Sequence, residues 1–223
     1  MNPPDDSEFV PSEISRAGKY LVIHDENFCR VGISSNVYVA TLGGRYYLFD
    51  ASGDPDLMRY LRHLGVRKES LGAIFLTHGH YDHVRGLLSL PGGGVPVYLD
   101  RADRGLAEEC LGRMEILDME EGKEALAGLG LEALRTPGHT AGSVCFYSRE
   151  ERLLISGDTV FSSGLFGRTD TAGGDSGQML ESLRRLSGLD AEALLPGHGM
   201  PLLRGGRQSV AAALENATYL LRA

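Results

Sequence analysis

Histidine and aspartate cluster in residues 78–83, where the sequence reads H-G-H-Y-D-H. The run follows the apolar residues 73–76 and Thr77, and the apolar residues predict a strand that ends in a histidine-rich loop. Imidazole and carboxylate groups are ligands for divalent metal ions. The run supplies His78, His80, Asp82 and His83. Because the chain has only 7 histidines in 223 residues, this clustering predicts a metal site at the end of the strand.

Three more candidate ligands each follow a predicted strand, and they are His139, Asp158 and His198. Each lies in a glycine-containing turn, because the local sequences read T-P-G-H-T, S-G-D-T and P-G-H-G. Loops at strand ends of α/β proteins converge on one region, so these groups are expected to meet. Seven ligands exceed the three or four of one tetrahedral ion and predict two ions that share a bridge. A set without thiolate suits zinc, and also iron or manganese.

The two remaining histidines and the three cysteines are not assigned to a metal or catalytic site. His24 and His63 are isolated, one at a strand end and one on a helix, and neither is assigned to the site. Cys29, Cys110 and Cys145 lie far apart and form no C-x-x-C pair. Each has apolar neighbours, so we expect buried free thiols.

Strands and helices alternate around the candidate ligands. Strands are predicted at residues 20–23, 37–42, 45–50, 73–76, 95–99, 114–117, 131–135, 143–147, 153–156 and 193–195. Helices are predicted near residues 57–64, 104–111, 178–186 and 208–221. Hairpins mixed with strand–helix alternation predict an α/β protein with a mixed sheet. We expect one domain over residues 16–223, preceded by an acidic lead-in over residues 1–15.

Charge and hydropathy narrow the class of partner. The chain has 30 acidic and 22 basic side chains, a net charge of −8 and a pI near 5.4, which disfavours binding to a phosphate backbone. Its first eight residues lack the basic and apolar parts of a secretory signal. No apolar run approaches the ~18 residues of a membrane helix. We therefore expect a cytoplasmic protein that acts on a small molecule, without nucleic acid or membrane as partner.

The four motifs, in their order along the chain, resemble those of the metallo-β-lactamase fold superfamily. They read T-H-G-H-Y-D-H, T-P-G-H-T-A-G-S, S-G-D-T-V-F and P-G-H-G. The resemblance covers about residues 20–200 and implies a four-layer αββα sandwich of two mixed sheets, with metals at one edge. It implies a first metal on His78, His80 and His139. It implies a second metal on Asp82, His83 and His198, with Asp158 bridging. Asp50 would support the histidine loop without binding metal.

Residues 157–161 and 167–170 restrict the resemblance to one branch of the superfamily. They read G-D-T-V-F and G-R-T-D and are similar to the glyoxalase II and persulfide dioxygenase branch. Lactamases of the cysteine-ligand type carry Cys where Asp158 stands, and flavin-partnered di-iron reductases carry Glu in place of His80. Transfer-RNA-processing nucleases share the ligands but need a basic arm, which the acidic chain disfavours. Arg168 is expected either to pair with Asp170 and fix a loop, or to contact substrate.

This resemblance implies a hydrolase in which a metal-bridging hydroxide attacks a thioester such as a hydroxyacylglutathione. Asp82 would orient the hydroxide and manage its proton. One alternative is a glutathione persulfide dioxygenase, with a single iron on His78, His139 and Asp158. A second is a non-catalytic binding module that retained the fold, although such modules usually lose a ligand and none is missing here. Two zinc ions per chain would favour hydrolysis, whereas one iron with oxygen uptake would favour the dioxygenase.

Overall fold

Two mixed β-sheets pack face to face in the computed structural model, which describes residues 15–17, 20–24, 33–90 and 94–221. The first sheet has seven strands in chain order, namely β1 (Ser15–Ala17), β2 (Tyr20–Ile23), β3 (Val37–Leu42), β4 (Arg45–Phe49), β5 (Leu71–Phe75), β6 (Val97–Leu99) and β7 (Leu117–Asp118). Strands β1 to β4 pair antiparallel, and the two-residue turn of Gly43 and Gly44 joins β3 to β4 as a hairpin. Strands β4 to β7 pair parallel, and helical crossovers connect them.

The second sheet has the strand order β11-β10-β9-β8. Its strands are β8 (Glu132–Arg135), β9 (Val144–Ser148), β10 (Leu153–Gly157) and β11 (Ala193–Pro196). Strands β8, β9 and β10 pair antiparallel, and β10 pairs with β11 in parallel. The α-helices are α1 (Leu57–His63), α2 (Tyr81–Val84), α3 (Arg104–Leu111), α4 (Lys123–Gly128), α5 (Ser176–Ser187) and α6 (Gly206–Leu220).

Alternation along the strands creates the layers. In β3, Val37 and Val39 face helices, whereas Tyr38 and Ala40 face the other sheet. In β9 the alternate residues divide in the same way between the sheet interface and the outer helices. Burying both faces of each sheet requires a helical layer on each side.

Helices α1, α2 and α3 cover the first sheet through buried side chains such as Leu61, Val84 and Ala107. Helices α5 and α6 cover the second sheet through Leu183 and Val210. The order of layers is therefore helix, sheet, sheet, helix. The predicted αββα sandwich is confirmed.

Most predicted elements are present with shifted ends. Strand β6 begins at Val97, because Pro96 has no N–H to donate to a neighbouring strand. The strand predicted at residues 114–117 was placed too early, since β7 is Leu117–Asp118. Helices α2 and α4 were not predicted. The first 14 residues of the predicted lead-in lie outside the described residues, and Ser15 already belongs to β1.

The two sheets are joined by backbone hydrogen bonds at one edge. Val144 N–H donates to the Thr77 carbonyl at 2.8 Å, across the sheet interface. Gly197 N–H donates to the Gly157 carbonyl, also at 2.8 Å, so the loops after β10 and β11 run together. In the described part of the chain, no helix has the length and apolar character needed to span a bilayer.

Candidate metal centre

All seven predicted ligand side chains meet at this edge of the sheets. His78 and His80 follow β5, and Asp82 and His83 lie in the single turn of α2. The others follow β8, β10 and β11, and they are His139, Asp158 and His198. Within each of three overlapping groups the ligand atoms lie within 4.8 Å of one another. The groups are His78, His80, His139; His78, His83, Asp158; and Asp82, His83, His198.

The first group consists of three imidazole rings. His80 Nδ1 lies 3.1 Å from His78 Nε2 and 2.9 Å from His139 Nε2. Burial lowers the pKa of His78 well below its usual value, and it also lowers the pKa of His80, with a further lowering from the neighbouring imidazoles. Both rings are therefore neutral at neutral pH, which is the form that binds metal.

Hydrogen bonds fix which ring nitrogens carry protons. The Thr77 hydroxyl donates to Asp50, so at 3.0 Å it accepts the Nδ1 proton of His78. His139 Nδ1 donates to the Arg168 carbonyl at 2.8 Å. Both Nε2 atoms therefore direct lone pairs toward His80. Two acceptor nitrogens thus converge on His80 Nδ1, and a cation among the three rings would bind both lone pairs, so the arrangement suits a metal ion.

The second group combines two rings with carboxylates. Asp82 Oδ2 lies 3.2 Å from His198 Nε2 and 3.8 Å from His83 Nε2. Asp158 lies between the two groups. Its Oδ1 is 3.3 Å from His83 Nε2, and its Oδ2 is 3.4 Å from His198 Nε2 and 3.6 Å from His139 Nε2. This is the position that a bridging carboxylate requires.

Two buried atoms of this group fit a bound cation. His83 Nε2 and Asp158 Oδ1 are inaccessible to solvent and form no hydrogen bond with any described residue. They lie 3.3 Å apart as an ion pair, which compensates their burial only in part, and a metal ion would satisfy both. Burial lowers the pKa of His83, but the charges of Asp50, Asp158 and Asp82 outweigh burial and raise it to about 10. The carboxylates thus favour positive charge at this point, which a divalent cation would supply.

The carboxylates are ionised in spite of their burial. Burial raises the pKa of Asp158, but His83 and His198 outweigh it and hold that pKa well below the usual range. The same opposition lowers the pKa of Asp82. Ionised carboxylates next to imidazoles are the donor set of zinc, iron and manganese sites, and a bound cation would take the place of the proton that His83 carries without one.

Asp50 supports the histidine loop through hydrogen bonds, as expected. Its Oδ1 accepts from the Thr77 backbone N–H at 2.7 Å, and its Oδ2 accepts from His83 Nδ1 at 2.9 Å. The second bond leaves the Nε2 lone pair of His83 available to a metal. Asp50 has a φ of +62°, which few residues other than glycine adopt, so the strand end is bent to aim this carboxylate.

Asp103 is a supporting residue that the sequence reading missed. Its Oδ2 accepts from the Gly79 N–H at 2.9 Å and from the Thr140 hydroxyl at 2.6 Å. Its Oδ1 accepts from the Gly142 N–H at 2.7 Å. The buried carboxylate therefore ties the loop of His78 and His80 to the loop of His139. In the sequence, Asp103 is recognisable only as an acid that follows a predicted strand. Asp100 has the same property, so the sequence does not distinguish the two.

Asn36 is a second supporting residue that was missed. Its Nδ2 donates to the carbonyls of Pro196 and Gly199, at 3.0 and 2.8 Å, on either side of His198. Its backbone N–H donates to the Gly197 carbonyl at 2.7 Å. One fully buried side chain thus fixes the whole loop that carries a candidate ligand.

Gly197 lies so close to the centre that a side chain would not fit. A Cβ added there would be 2.2 Å from Asp158 Oδ1 and 2.8 Å from His83 Cε1. The glycine before His198 therefore allows β11 to approach the bridging carboxylate.

Arg168 forms the ion pair that was one of its two predicted roles. Its guanidinium donates twice to the Asp170 carboxylate, with both distances 2.9 Å, and these side chains are 75% and 70% exposed. The part of Arg168 that contacts the site is its backbone carbonyl, which orients His139. Contact between its guanidinium and substrate stays a prediction.

The residues set aside by the sequence reading lie outside the three groups. His24 is buried and His63 is exposed on α1, and neither contributes to a candidate metal group. Cys145 is a buried free thiol, and its burial raises its pKa to about 11. Cys110 is free and half-buried, and Cys29 lies outside the described residues.

The family follows from a match that spans the site. A model of the metallo-beta-lactamase superfamily matches residues 30–198, which include every candidate ligand. The chain belongs to the metallo-beta-lactamase superfamily. Proteins with this fold bind divalent metal ions, so the family agrees with the donor set described above.

Individual members of the superfamily are similar to this chain over different shares of its length. The chain is 32% identical to the probable metallo-hydrolase YqgX of Bacillus subtilis, over 75% of this chain and 86% of that protein. It is 39% identical to hydroxyacylglutathione hydrolase of Bartonella tribocorum over 58% of this chain, and it spans about half (49%) of that enzyme. The structure of TTHA1623 in a di-iron-bound form is 30% identical, with a TM-score of 0.67, over 80% of this chain and 93% of that one. These matches place the chain among metallo-hydrolases.

Proposed function

We propose that this protein is a binuclear metal hydrolase that cleaves a thioester such as a hydroxyacylglutathione. The observation that carries the proposal is the position of Asp158 between two complete ligand groups. The similarity to hydroxyacylglutathione hydrolase supports the thioester as substrate class. We propose two zinc ions per chain, and iron is the first alternative because TTHA1623 was solved with two irons.

The first ion would be held by His78, His80 and His139. The second would be held by Asp82, His83 and His198, with Asp158 shared. When bound, the ions would supply a water with a pKa of ~7 and polarise the substrate carbonyl. The dioxygenase alternative would use one ion and leave the second group without a function. The ligand atoms of that second group nevertheless lie within 4.8 Å of one another, which favours the hydrolase.

Asp82 is the residue we propose for proton transfer. Its carboxylate is ionised, since His83 and His198 lower its pKa against the effect of burial, and its side chain is 11% exposed. It can accept a hydrogen bond from the attacking water and hold the proton that the water loses. Hydrolysis places the water's hydroxyl on the acyl carbon and breaks the C–S bond, and the sulfur leaves as a thiolate that takes up the proton.

Exposed apolar side chains near the centre support a small organic substrate. Leu165 and Met200 are each 55% exposed, and Ile33 is 63% exposed. The Ser162 hydroxyl donates to the Met200 carbonyl, which brings the turn at Leu165 next to the His198 loop. Apolar surface combined with a few polar groups is typical of sites that bind small molecules.

The test combines metal analysis with turnover of a zinc-loaded protein. We expect two zinc ions per chain and hydrolysis of thioesters. His80→Ala and Asp158→Ala should lower turnover at least about 100-fold through loss of a ligand. His63→Ala, an exposed histidine on α1, should match the unsubstituted protein and is the control.

Three results would overturn the proposal. The first is full turnover by His80→Ala with unchanged metal content. The second is one iron per chain with oxygen uptake on persulfides, which would indicate the dioxygenase. The third is a fully loaded protein that turns over neither thioesters, lactones nor persulfides, which would indicate a binding module.

A further inference from the structure

A cavity of about 420 Å³ lies beside the candidate metal centre, between the histidine loop and helix α3. Its wall includes His80 itself, together with Tyr81, Arg85, Leu106 and Glu109. We propose that this cavity binds the thiol-carrier end of the substrate and that Arg85 recognises a carboxylate on it. The inference rests on the proposed thioester hydrolysis and adds the residues that recognise the charged end of the leaving group.

Arg85 is the feature that points to an anionic ligand. The side chain is half-buried, yet its guanidinium forms no ion pair or hydrogen bond with any residue in the described part of the chain. The planar fork of a guanidinium matches a carboxylate, and this guanidinium lines a cavity without such a partner. In a protein with a net charge of −8, an arginine left unpaired in a cavity wall is available to a ligand's carboxylate.

Glu109 further restricts the chemical class of the ligand. It lines the same cavity, lies exposed on α3 and has no ion-pair partner among the described residues. A purely anionic ligand would be repelled by this carboxylate, whereas one with an ammonium group would be attracted. A cavity with one unpaired charge of each sign fits an α-amino acid group. We therefore assign Arg85 and Glu109 to recognition of the α-amino acid group of the thiol carrier, as the residues that determine specificity for it.

The position of the cavity relative to the metal ligands is fixed by close packing. A Cβ on Gly79 would lie 2.6 Å from the Asp103 carbonyl and 3.0 Å from Leu106 Cβ, so the histidine loop lies directly against α3. Because Gly79 stands between His78 and His80, a group held in the cavity is held at a defined distance from the centre. Such positioning raises the rate of a reaction at the neighbouring site.

Binding is tested with thioethers, which the enzyme does not hydrolyse, on the zinc-loaded protein. The probes are S-methylglutathione, with carboxylates and an ammonium group, 3-(methylthio)propionate, with a carboxylate only, and neutral N-acetyl-S-methylcysteamine. Calorimetry should show the tightest binding for S-methylglutathione and the weakest for the neutral probe. Arg85→Gln should weaken S-methylglutathione binding at least about 10-fold, Arg85→Lys should retain part of it, and neither should change binding of the neutral probe.

Two further variants complete the design. Glu109→Gln should reduce the preference for S-methylglutathione over 3-(methylthio)propionate. Arg184→Gln, which alters an exposed arginine on α5, is the matched control and should bind all probes like the unsubstituted protein. In kinetics, Arg85→Gln should raise KM for an S-acylglutathione about 10-fold with kcat nearly unchanged, and it should leave KM for the S-acyl-N-acetylcysteamine thioester unaltered.

The outcomes separate this inference from the proposed function. Equal binding of S-methylglutathione by Arg85→Gln and by the unsubstituted protein would overturn the inference, even if thioesters are hydrolysed. Arg85-dependent binding of S-methylglutathione in a protein that hydrolyses no thioester would support the cavity assignment and overturn the proposed function.

Discussion

The carboxylate of Asp50 determines the chemistry of a neighbouring imidazole without itself belonging to the ligand set. By accepting the Nδ1 proton of His83 at 2.9 Å, it leaves Nε2 available to a cation. Through the Thr77 hydroxyl it fixes His78 in the same way. One buried acid therefore sets the protonation of a ligand in each of the two groups.

Asp50→Asn should weaken metal binding while the fold is retained. The amide keeps the size of the side chain but removes the negative charge that faces His83 Nδ1. We expect a 10–100-fold loss of zinc affinity, measured by competition with a chromophoric chelator. Asp56→Asn, an exposed acid that begins α1, should leave affinity unchanged. Unaltered affinity in Asp50→Asn would show that this carboxylate does not tune the site.

Residue types and spacing predicted the candidate ligands but not the residues that position them. Histidine is rare in this chain, so clustering such as that of His78 and His80 is informative in the sequence itself. Asn36 and Asp103 act by binding backbone atoms more than 20 residues away along the chain. Nothing local distinguishes them from other polar residues near strand ends, because only the folded sheet edge brings their partners within reach.

At the scale of elements, strand β3 holds the loop that follows β11. Tyr38 in β3 donates its hydroxyl to the Pro196 carbonyl at 2.5 Å, and Asn36 binds the carbonyls on both sides of His198. A strand of the first sheet therefore positions a candidate ligand carried by the second. Loss of this link should affect the second ion more than the first.

Asn36→Ala should reduce occupancy of the second metal. The substitution removes the amide that binds the carbonyls on both sides of His198, and although Tyr38 still donates to Pro196, the loop is expected to be held less firmly. We expect zinc content to fall from two ions per chain toward one after dialysis at limiting zinc, measured by atomic emission. Asn216→Ala is the control, because Asn216 also donates to a loop carbonyl, that of Gly164, but on α6. Full occupancy of both sites in Asn36→Ala would contradict this account.

The periodicity of apolar residues predicted the long helices and strands but not the short ones. Helix α5 has apolar residues at helical spacing over three turns, and it was predicted within two residues of its ends. Helix α2 contains only Tyr81–Val84, which is too short to show a period. A histidine-rich loop was expected there, directly after the strand. The single helical turn instead directs Asp82 and His83 into the centre.

At the scale of the whole molecule, the candidate ligands come from both halves of the sandwich. The loop after β5 belongs to the first sheet, whereas His139, Asp158 and His198 follow strands of the second. Bound ions would therefore link the two sheets at the edge where backbone hydrogen bonds already join them. Unfolding separates the sheets and abolishes both sites, so metal binding should add directly to the free energy of unfolding.

Removal of metal should therefore lower the melting temperature of the whole protein. Free zinc at 100 times its Kd contributes about 2.7 kcal/mol, and a chain of this size shifts by about 2–4 °C per kcal/mol. We expect a chelator to lower Tm by about 5–10 °C in calorimetry, and added zinc to restore it. His63→Ala should show the same shift, whereas Asp158→Ala, which lacks the group between the two ligand sets, should show little. An equal chelator shift in Asp158→Ala would mean that the stabilising ion binds elsewhere, away from the junction of the sheets.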